Sequence, residues 1–375
     1  MRNTIYRYFF KEFISFFALT LISLSIIVWI VQAVNYLDFV TEDGHSFGVY
    51  FAYSILNLPK VITRLVPFVF LISLLTTILQ FEKNNELLVF WTCGLNKITL
   101  VNLIFKISIL ITLIQFFLSL NVIHSTLNIG RSILKSSSIS LLPTLIKEKK
   151  FIDTVRNLTL FVEEKKSSGE MSNIFLRDDS AGTGNSKTII AKTGFITEKG
   201  EQNILLLFDG TIQSEKKNKK ISFINFDRTE FNLSSFSTKT TTYPKIQERN
   251  TLSLINCIVP FLDESKTNIK EYQCRSRIDD ISIELNRRLG IPFYIPVISI
   301  IVCYLLSSRK ENKYSFFQKY IIFAVAFFVL VFAEIMVRYS AQSVINAIIY
   351  YSLPPLLILL NYLNLIRLFK FENLN

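Results

Sequence analysis

Residues 82–97 read EKNNELLVFWTCGLNK, and long apolar runs stand on both sides of them. The uncharged part, Leu87 to Leu95, is about half of what a membrane crossing needs. It is also too apolar for a plain connecting loop. Leu87, Phe90, Trp91 and Leu95 fall roughly on one helical face, with Leu88 beside them. Glu86 opens the stretch, where a carboxylate suits a helix N-terminus. Gly94 lies close to its C-terminal end, and Lys97 follows. Two readings fit. The helix could lie in a membrane interface, where Trp is at home. Alternatively, it could be a knob that enters a groove on a partner.

Working outward, the preceding run extends from Val49 to Phe81 and carries Pro59, Lys60, Arg64 and Pro67. It is long for a span and must tilt or protrude. The following run covers Ile98 to about Ile123. An earlier one, Phe13 to Val34, holds 22 residues without a charge. Three more run from Leu289 to Leu306, from Tyr320 to Val337 and from Leu353 to Phe369. The 375-residue chain is 50% hydrophobic and 14% aromatic, with a net charge of +12. Much of that charge flanks the apolar runs, so positive-inside bias explains it better than nucleic-acid binding does. Arg2, Arg7 and Lys11 precede the first span; Asp38, Glu42 and Asp43 follow it. Both termini and the 82–97 helix are therefore expected in the cytoplasm. The first run is too long for a signal-peptide core and has no small-residue cleavage site, so it reads as a true span.

Between the third and fourth spans lies a polar insert, residues 124–283. It starts as a helix over Ser125–Leu142, ended by Pro143. β-type segments follow at 158–164, 173–178, 187–196, 203–212 and 219–233, with turn-like stretches between them. A late helix is expected around Leu252 to Leu262. The expected organisation is 1–123, 124–283 and 284–375, with the insert on the outer side as a β sandwich or open barrel. Cys257 and Cys274 fall near the end of the insert and could form a disulfide if it is exported. Neither these cysteines nor the two histidines, His45 and His124, form a zinc motif. Both histidines read as surface residues. GTGNSKT at 182–188 lacks the Gly before Lys that a phosphate loop needs, and it reads as a hairpin turn.

Charges inside or beside the spans point to binding. Lys60 and Arg64 are four apart, on one face. At membrane depth they must snorkel, pair or line a wet site. Glu284, Arg287 and Arg288 lie just before the fourth span. Glu284 can pair with either Arg, and an Arg left over could hold a phosphate in bidentate fashion. Glu334 and Arg338 repeat the i,i+4 spacing and read as a structural pair. No nucleophile–base set stands out, so an envelope-modifying enzyme rests only on Asp279, Asp280 and Glu284. An anchored interaction protein would not need six spans.

Taken in order, the motifs resemble a known family. ELLVFWTCGLNK is similar to the signature of the lipopolysaccharide-export permeases LptF and LptG (YjgP/YjgQ), with TCGLNK nearer the LptF branch. YRYFFKEF at 6–13, LPKVITRLVPFVFLISLL at 58–75, ELNRRLGIP at 284–292 and LPPLLILLNYLNLIRL at 353–368 resemble the family's N-terminal helix and its second, fourth and last spans. The resemblance implies a six-helix membrane bundle with an inserted periplasmic all-β jellyroll-like domain, in the bacterial inner membrane. It also implies a heterodimer of LptF-like and LptG-like chains, an LptB-type ATPase dimer that uses the ATP, an LptC-type bitopic subunit, a periplasmic bridge and lipopolysaccharide as cargo. This chain itself would bind no cofactor or metal and have no catalytic residue. Glu86, Leu87, Phe90, Trp91, Gly94 and Leu95 would form the coupling helix that docks on the ATPase. Physics alone offers Lys60, Arg64, Arg287 and Arg288 as phosphate contacts. Leu160, Val162, Phe175, Leu205, Leu207 and Phe223 are the candidates for an apolar interior of the β domain. Lipoprotein-release permeases, by contrast, carry their large domain after the first span.

Overall fold

Six helices of the computed structural model are long and apolar enough to cross a membrane. It describes residues 2–41, 45–140, 148–152, 157–166, 169–179, 186–199, 202–215, 221–233, 245–258, 277–307 and 315–372. Contacts divide the chain into two compact units. One is Met1–Ile30, Asn57–Leu127 and Lys245–Asn375; the other is Val31–Leu56 and Asn128–Pro244. The expected boundaries therefore shift. Residues 245–258 and 277–283 go with the helices, because Arg288 holds the carbonyls of Gln247 and Arg249. The 182–185 part of the expected hairpin turn lies outside the described residues, as do Cys274 and the end of the late helix.

In chain order the helices are α1 (Arg2–Asn35), α2 (Asp38–Thr41), α3 (Phe47–Leu56), α4 (Leu58–Lys83), α5 (Glu86–Thr92), α6 (Lys97–Phe117) and α7 (Ile123–Ser140). After the strands come α8 (Thr251–Ile258), α9 (Ile278–Gly290), α10 (Tyr294–Val302), α11 (Ser315–Tyr339) and α12 (Val344–Glu372). The long second run is thus two helices, α3 and α4. Pro59 sits in the first turn of α4, where its missing N–H costs nothing. Between α6 and α7, residues Leu118–Val122 form a π-helical turn.

The core of the helical unit gathers residues of α1, α4, α5, α6, α10, α11 and α12. Small polar residues allow close helix contact: Ser299 of α10 donates to Ser108 of α6 at 3.2 Å. One polar knot joins three helices. Asn286 of α9 donates to Ser340 and accepts from Tyr351 of α12 at 2.9 Å. Beside it, α11 is tied to the bundle near both ends. Lys319 meets Glu82 of α4 at 2.9 Å, and Glu334 meets Arg287 of α9 at 2.8 Å.

The other unit holds an antiparallel sheet in sequential order: β1 (Phe151–Ile152), β2 (Leu158–Lys165), β3 (Glu170–Asp178), β4 (Ser186–Lys199), β5 (Gln202–Glu215) and β6 (Ile221–Asn232). The inserted β domain is therefore present. Its described strands form a meander, without the Greek-key crossing of a two-sheet jellyroll. A crease crosses this sheet. Ladder pairing skips one position on each strand, at Glu163, Asn173, Lys192, Asp209 and Asp227, while the register on either side stays the same. Asn173 and Asp209 lie on that line with φ of 49° and 48°. The inward set changes parity across this line. On β3 the inward residues are Met171, then Ile174 and Leu176; on β5 they are Leu205 and Leu207, then Ile212. Elsewhere in this unit, His45 is buried at 3% exposure, with Nδ1 3.0 Å from Ser137 Oγ, and is not the surface residue expected. Burial holds its pKa below the ordinary histidine value.

Gly290 ends α9 against Tyr350, and an added Cβ would overlap the Tyr350 ring. Gly290→Ala is expected to cost about 1–3 kcal/mol by overpacking, seen as a lower melting temperature of the full chain in detergent. An unchanged melting temperature would show that Tyr350 can move aside.

Candidate functional site

Proline chemistry starts the site. Pro67 lies inside α4 and has no N–H, so the carbonyl of Thr63, one turn earlier, loses its helical partner. Gln115 of α6 supplies the substitute, donating from Nε2 at 3.4 Å. Just beyond Gln115 the helix widens into its π turn, a feature common at functional sites. There Ser119 Oγ donates to the Arg288 carbonyl at 3.4 Å, and the Leu120 carbonyl accepts from Thr251 at 3.2 Å. Two irregular helix segments thus face each other beside the end of α9.

A cavity of about 570 Å³ opens between them. Its lining includes five cations (Lys60, Arg64, Arg287, Arg288 and Arg338) and two carboxylates (Glu284 and Glu334), a net of +3. Pro67, Phe68, Ile123, Ile291, Leu330 and Val331 form the apolar walls. Lys60, Arg64 and Arg287 come together as the sequence suggested, but Arg288 plays another part. It is 2% exposed, and its Nε donates to Glu284 at 3.0 Å. Its Nη1 donates to the Arg249 carbonyl and Thr251, and its Nη2 to the Gln247 carbonyl. Four of its five N–H donors are used inside the protein, so Arg288 is a structural node rather than a phosphate contact. The expected Glu334–Arg338 pair is also replaced: Glu334 takes Arg287 from another helix. Gln115 and Glu334 were missed as cavity residues. An amide inside an apolar run was the available signal for Gln115.

At the other end of the same unit lies α5. Asn85 precedes it in the left-handed region, at φ 60°. Gly94, at φ 80°, stops it in a Schellman arrangement: Leu95 N–H bonds the Phe90 carbonyl and Gly94 N–H bonds that of Trp91. Glu86 accepts from Asn84 at 3.1 Å, near the Tyr8 hydroxyl. Leu87 and Phe90 are buried in the unit's own core, with Trp91 and Leu95 packed against it. The Phe81 ring bridges Phe9 of α1 and Phe90. Lys97 Nζ stands 6.0 Å from the Trp91 ring centroid. Hence Leu87 and Phe90 are not surface contacts, contrary to expectation. Apolar residues spaced for one face point here into the bundle, and the exposed side is Leu88, Val89 and Thr92.

A family model described as "Lipopolysaccharide export system permease LptF/LptG" matches residues 7–368. The chain belongs to the LptF/LptG family. It is a multi-pass membrane protein of a permease family, and the match does not separate the LptF and LptG branches. A relative, Uncharacterized protein RP871 of Rickettsia prowazekii (strain Madrid E), is 25% identical over 237 residues, or 62% of this chain. The chain spans 64% of the length of that curated relative.

In this LptF/LptG chain, four of the six candidate interior residues of the β domain share one buried cluster: Leu160, Val162, Leu205 and Leu207. Phe175 and Phe223 do not. Phe175 lies between the inward residues Ile174 and Leu176, so it points to the opposite face, where it meets Phe151 at 6.2 Å. Phe223 is exposed, and its parity differs from that of the inward Phe226.

Arg288→Met should leave the Glu284 carboxylate with only Arg287, 4.0 Å away, and cost about 1–3 kcal/mol. Glu284→Gln with Arg288→Met is expected to recover part of that loss in thermal melts of the purified chain. No recovery would mean that Arg288 acts through its carbonyl contacts alone.

Proposed function

We propose that this chain is one permease half of a lipopolysaccharide exporter, and that the cation-lined cavity holds the phosphates of its cargo. The cavity carries the reading. Lys60, Arg64 and Arg287 line it, with Pro67, Phe68, Leu330 and Val331 as apolar walls. An anionic head and acyl chains are the chemistry that fits both. The like charges of Arg64 and Lys245 stand within electrostatic reach of Lys60 and outweigh those of Glu284 and Glu248, which leaves the cavity in want of an anion.

In this reading the cavity end faces the periplasm and α5 faces the cytoplasm of the inner membrane. The positive-inside pattern supports that orientation. So does the disulfide bonding of Cys257, since disulfides persist on the oxidising side. A cytoplasmic ATPase dimer of the LptB type docks on α5 through Leu88 and Val89, while Leu87, Phe90 and Leu95 carry its movement into the bundle. α11 is tied near both ends, to Glu82 close to α5 and to Arg287 in the cavity. It therefore carries motion from one end to the other. As the cavity narrows, the cargo leaves for the β domain, whose apolar face includes Leu160, Val162, Leu205 and Leu207. A second permease of the same family completes the membrane part. An LptC-type subunit and a periplasmic bridge receive the lipid.

Copurification without crosslinker tests the assembly. The native chain should bring down a cytoplasmic ATPase and a second six-span chain. Leu88→Asp with Val89→Asp should lower ATPase recovery about tenfold, the effect of losing one or two buried apolar contacts. The same variant should melt at the native temperature, because both positions are exposed. Full ATPase recovery by this variant would remove α5 as the docking element.

A further inference from the structure

Gln115 has a use that its part in the helix packing does not exhaust. It is 3% exposed and lines the cavity. Its two amide ends are distinguishable, because Nε2 must face the carbonyl of Thr63, an acceptor. That fixes Oε1, which has no hydrogen-bond partner among the described residues. A buried acceptor left unmet is costly, so a donor is called for. The nearby hydroxyl donors are already engaged, and none of the lining cations bonds Oε1. Ser119 Oγ gives its hydrogen to the Arg288 carbonyl, and Thr63 Oγ1 gives its own to Pro59. The three cations Lys60, Arg64 and Arg287 line the same cavity, and Thr63 and Arg64 are consecutive on α4.

We infer that Gln115 is a specificity-determining residue of the cavity: its Oε1 accepts a hydrogen bond from an N–H or O–H group that the bound amphiphile carries close to its phosphate. This deepens the lipid-phosphate reading of the cavity and rests on it. The site then selects a phosphorylated amphiphile with an amide-linked chain or a free hydroxyl beside the head. A phosphorylated amphiphile joined only through esters leaves Oε1 unmet. Charge selects the head, and the amide selects the linkage.

Two probes separate these effects: ceramide 1-phosphate and phosphatidic acid. Both carry a phosphomonoester and two chains, but only ceramide 1-phosphate has an amide N–H and a hydroxyl next to the phosphate. Binding to the full chain in phosphatidylcholine nanodiscs is read by native mass spectrometry. The native chain is expected to prefer ceramide 1-phosphate by about tenfold, the worth of one buried hydrogen bond. Gln115→Met keeps the length and removes the acceptor together with the Nε2 donor to Thr63, and it should bring the ratio of the two probes close to one whatever it does to their common affinity. Equal binding of the two probes by the native chain overturns the inference and leaves the phosphate site standing. A preference that survives in Gln115→Met also overturns it, since the donor is then met elsewhere. If neither probe binds above the phosphatidylcholine background, the phosphate reading of the cavity fails along with the inference.

Discussion

Burying a guanidinium in a membrane protein is costly unless most of its donors are met, and Arg288 shows how much structure that requirement fixes. Its four hydrogen bonds bring Glu284 of its own helix together with Gln247, Arg249 and Thr251, which lie about forty residues earlier in the chain. Thr251 then reaches the Leu120 carbonyl in the π turn of α6. One buried charge thus sets the start of the fourth span, the return of the chain from the β domain and the irregular part of the third span. The neighbouring Arg287 pairs with Glu334 instead and stands in the cavity lining. Two adjacent arginines with the same chemistry differ because Arg288 is buried among its partners while Arg287 stands in the cavity lining.

Irregular backbone is concentrated at the same place. Pro67 frees a carbonyl on α4, and the π turn frees one on α6. Both carbonyls take side-chain donors, from Gln115 and Thr251. Non-helical backbone at membrane depth is tolerated where protein or a wet cavity can satisfy it, and the cavity lies between these two segments. The end bearing α5 is built differently. Rings of Phe9, Phe81 and Phe90 interlock there, and a Schellman stop sets the length of the helix. Polar contacts thus line the cavity end, and aromatic contacts seat α5 on its own bundle. α11 joins the two through Lys319–Glu82 and Arg287–Glu334.

Much of this was legible in the sequence. The spans follow from length and charge, and α5 from its caps and its apolar spacing. Which way α5 faces was not legible, since an amphipathic face looks the same whether it packs on its own bundle or on a partner. Five strands could be read, but their faces could not. The strict alternation of a sheet is broken at the crease, so a parity argument carried across it fails at Phe175 and at Phe223. The pairing of Glu334 was hidden for another reason: the i,i+4 spacing to Arg338 is local and visible, whereas Arg287 is brought in by tertiary packing.

The central claim is that lipopolysaccharide lies between α4 and α6, against Phe68. Phe68 lines the cavity, whereas Leu113 of α6 is an exposed apolar residue outside its lining. A photoreactive phenylalanine placed in turn at each position, in living cells, measures this directly. The account predicts a lipopolysaccharide adduct at position 68 that is several times stronger than at 113 and that fades when Lys60 and Arg64 are both replaced by Glu. Equal adducts at the two positions, or none at 68, would contradict it.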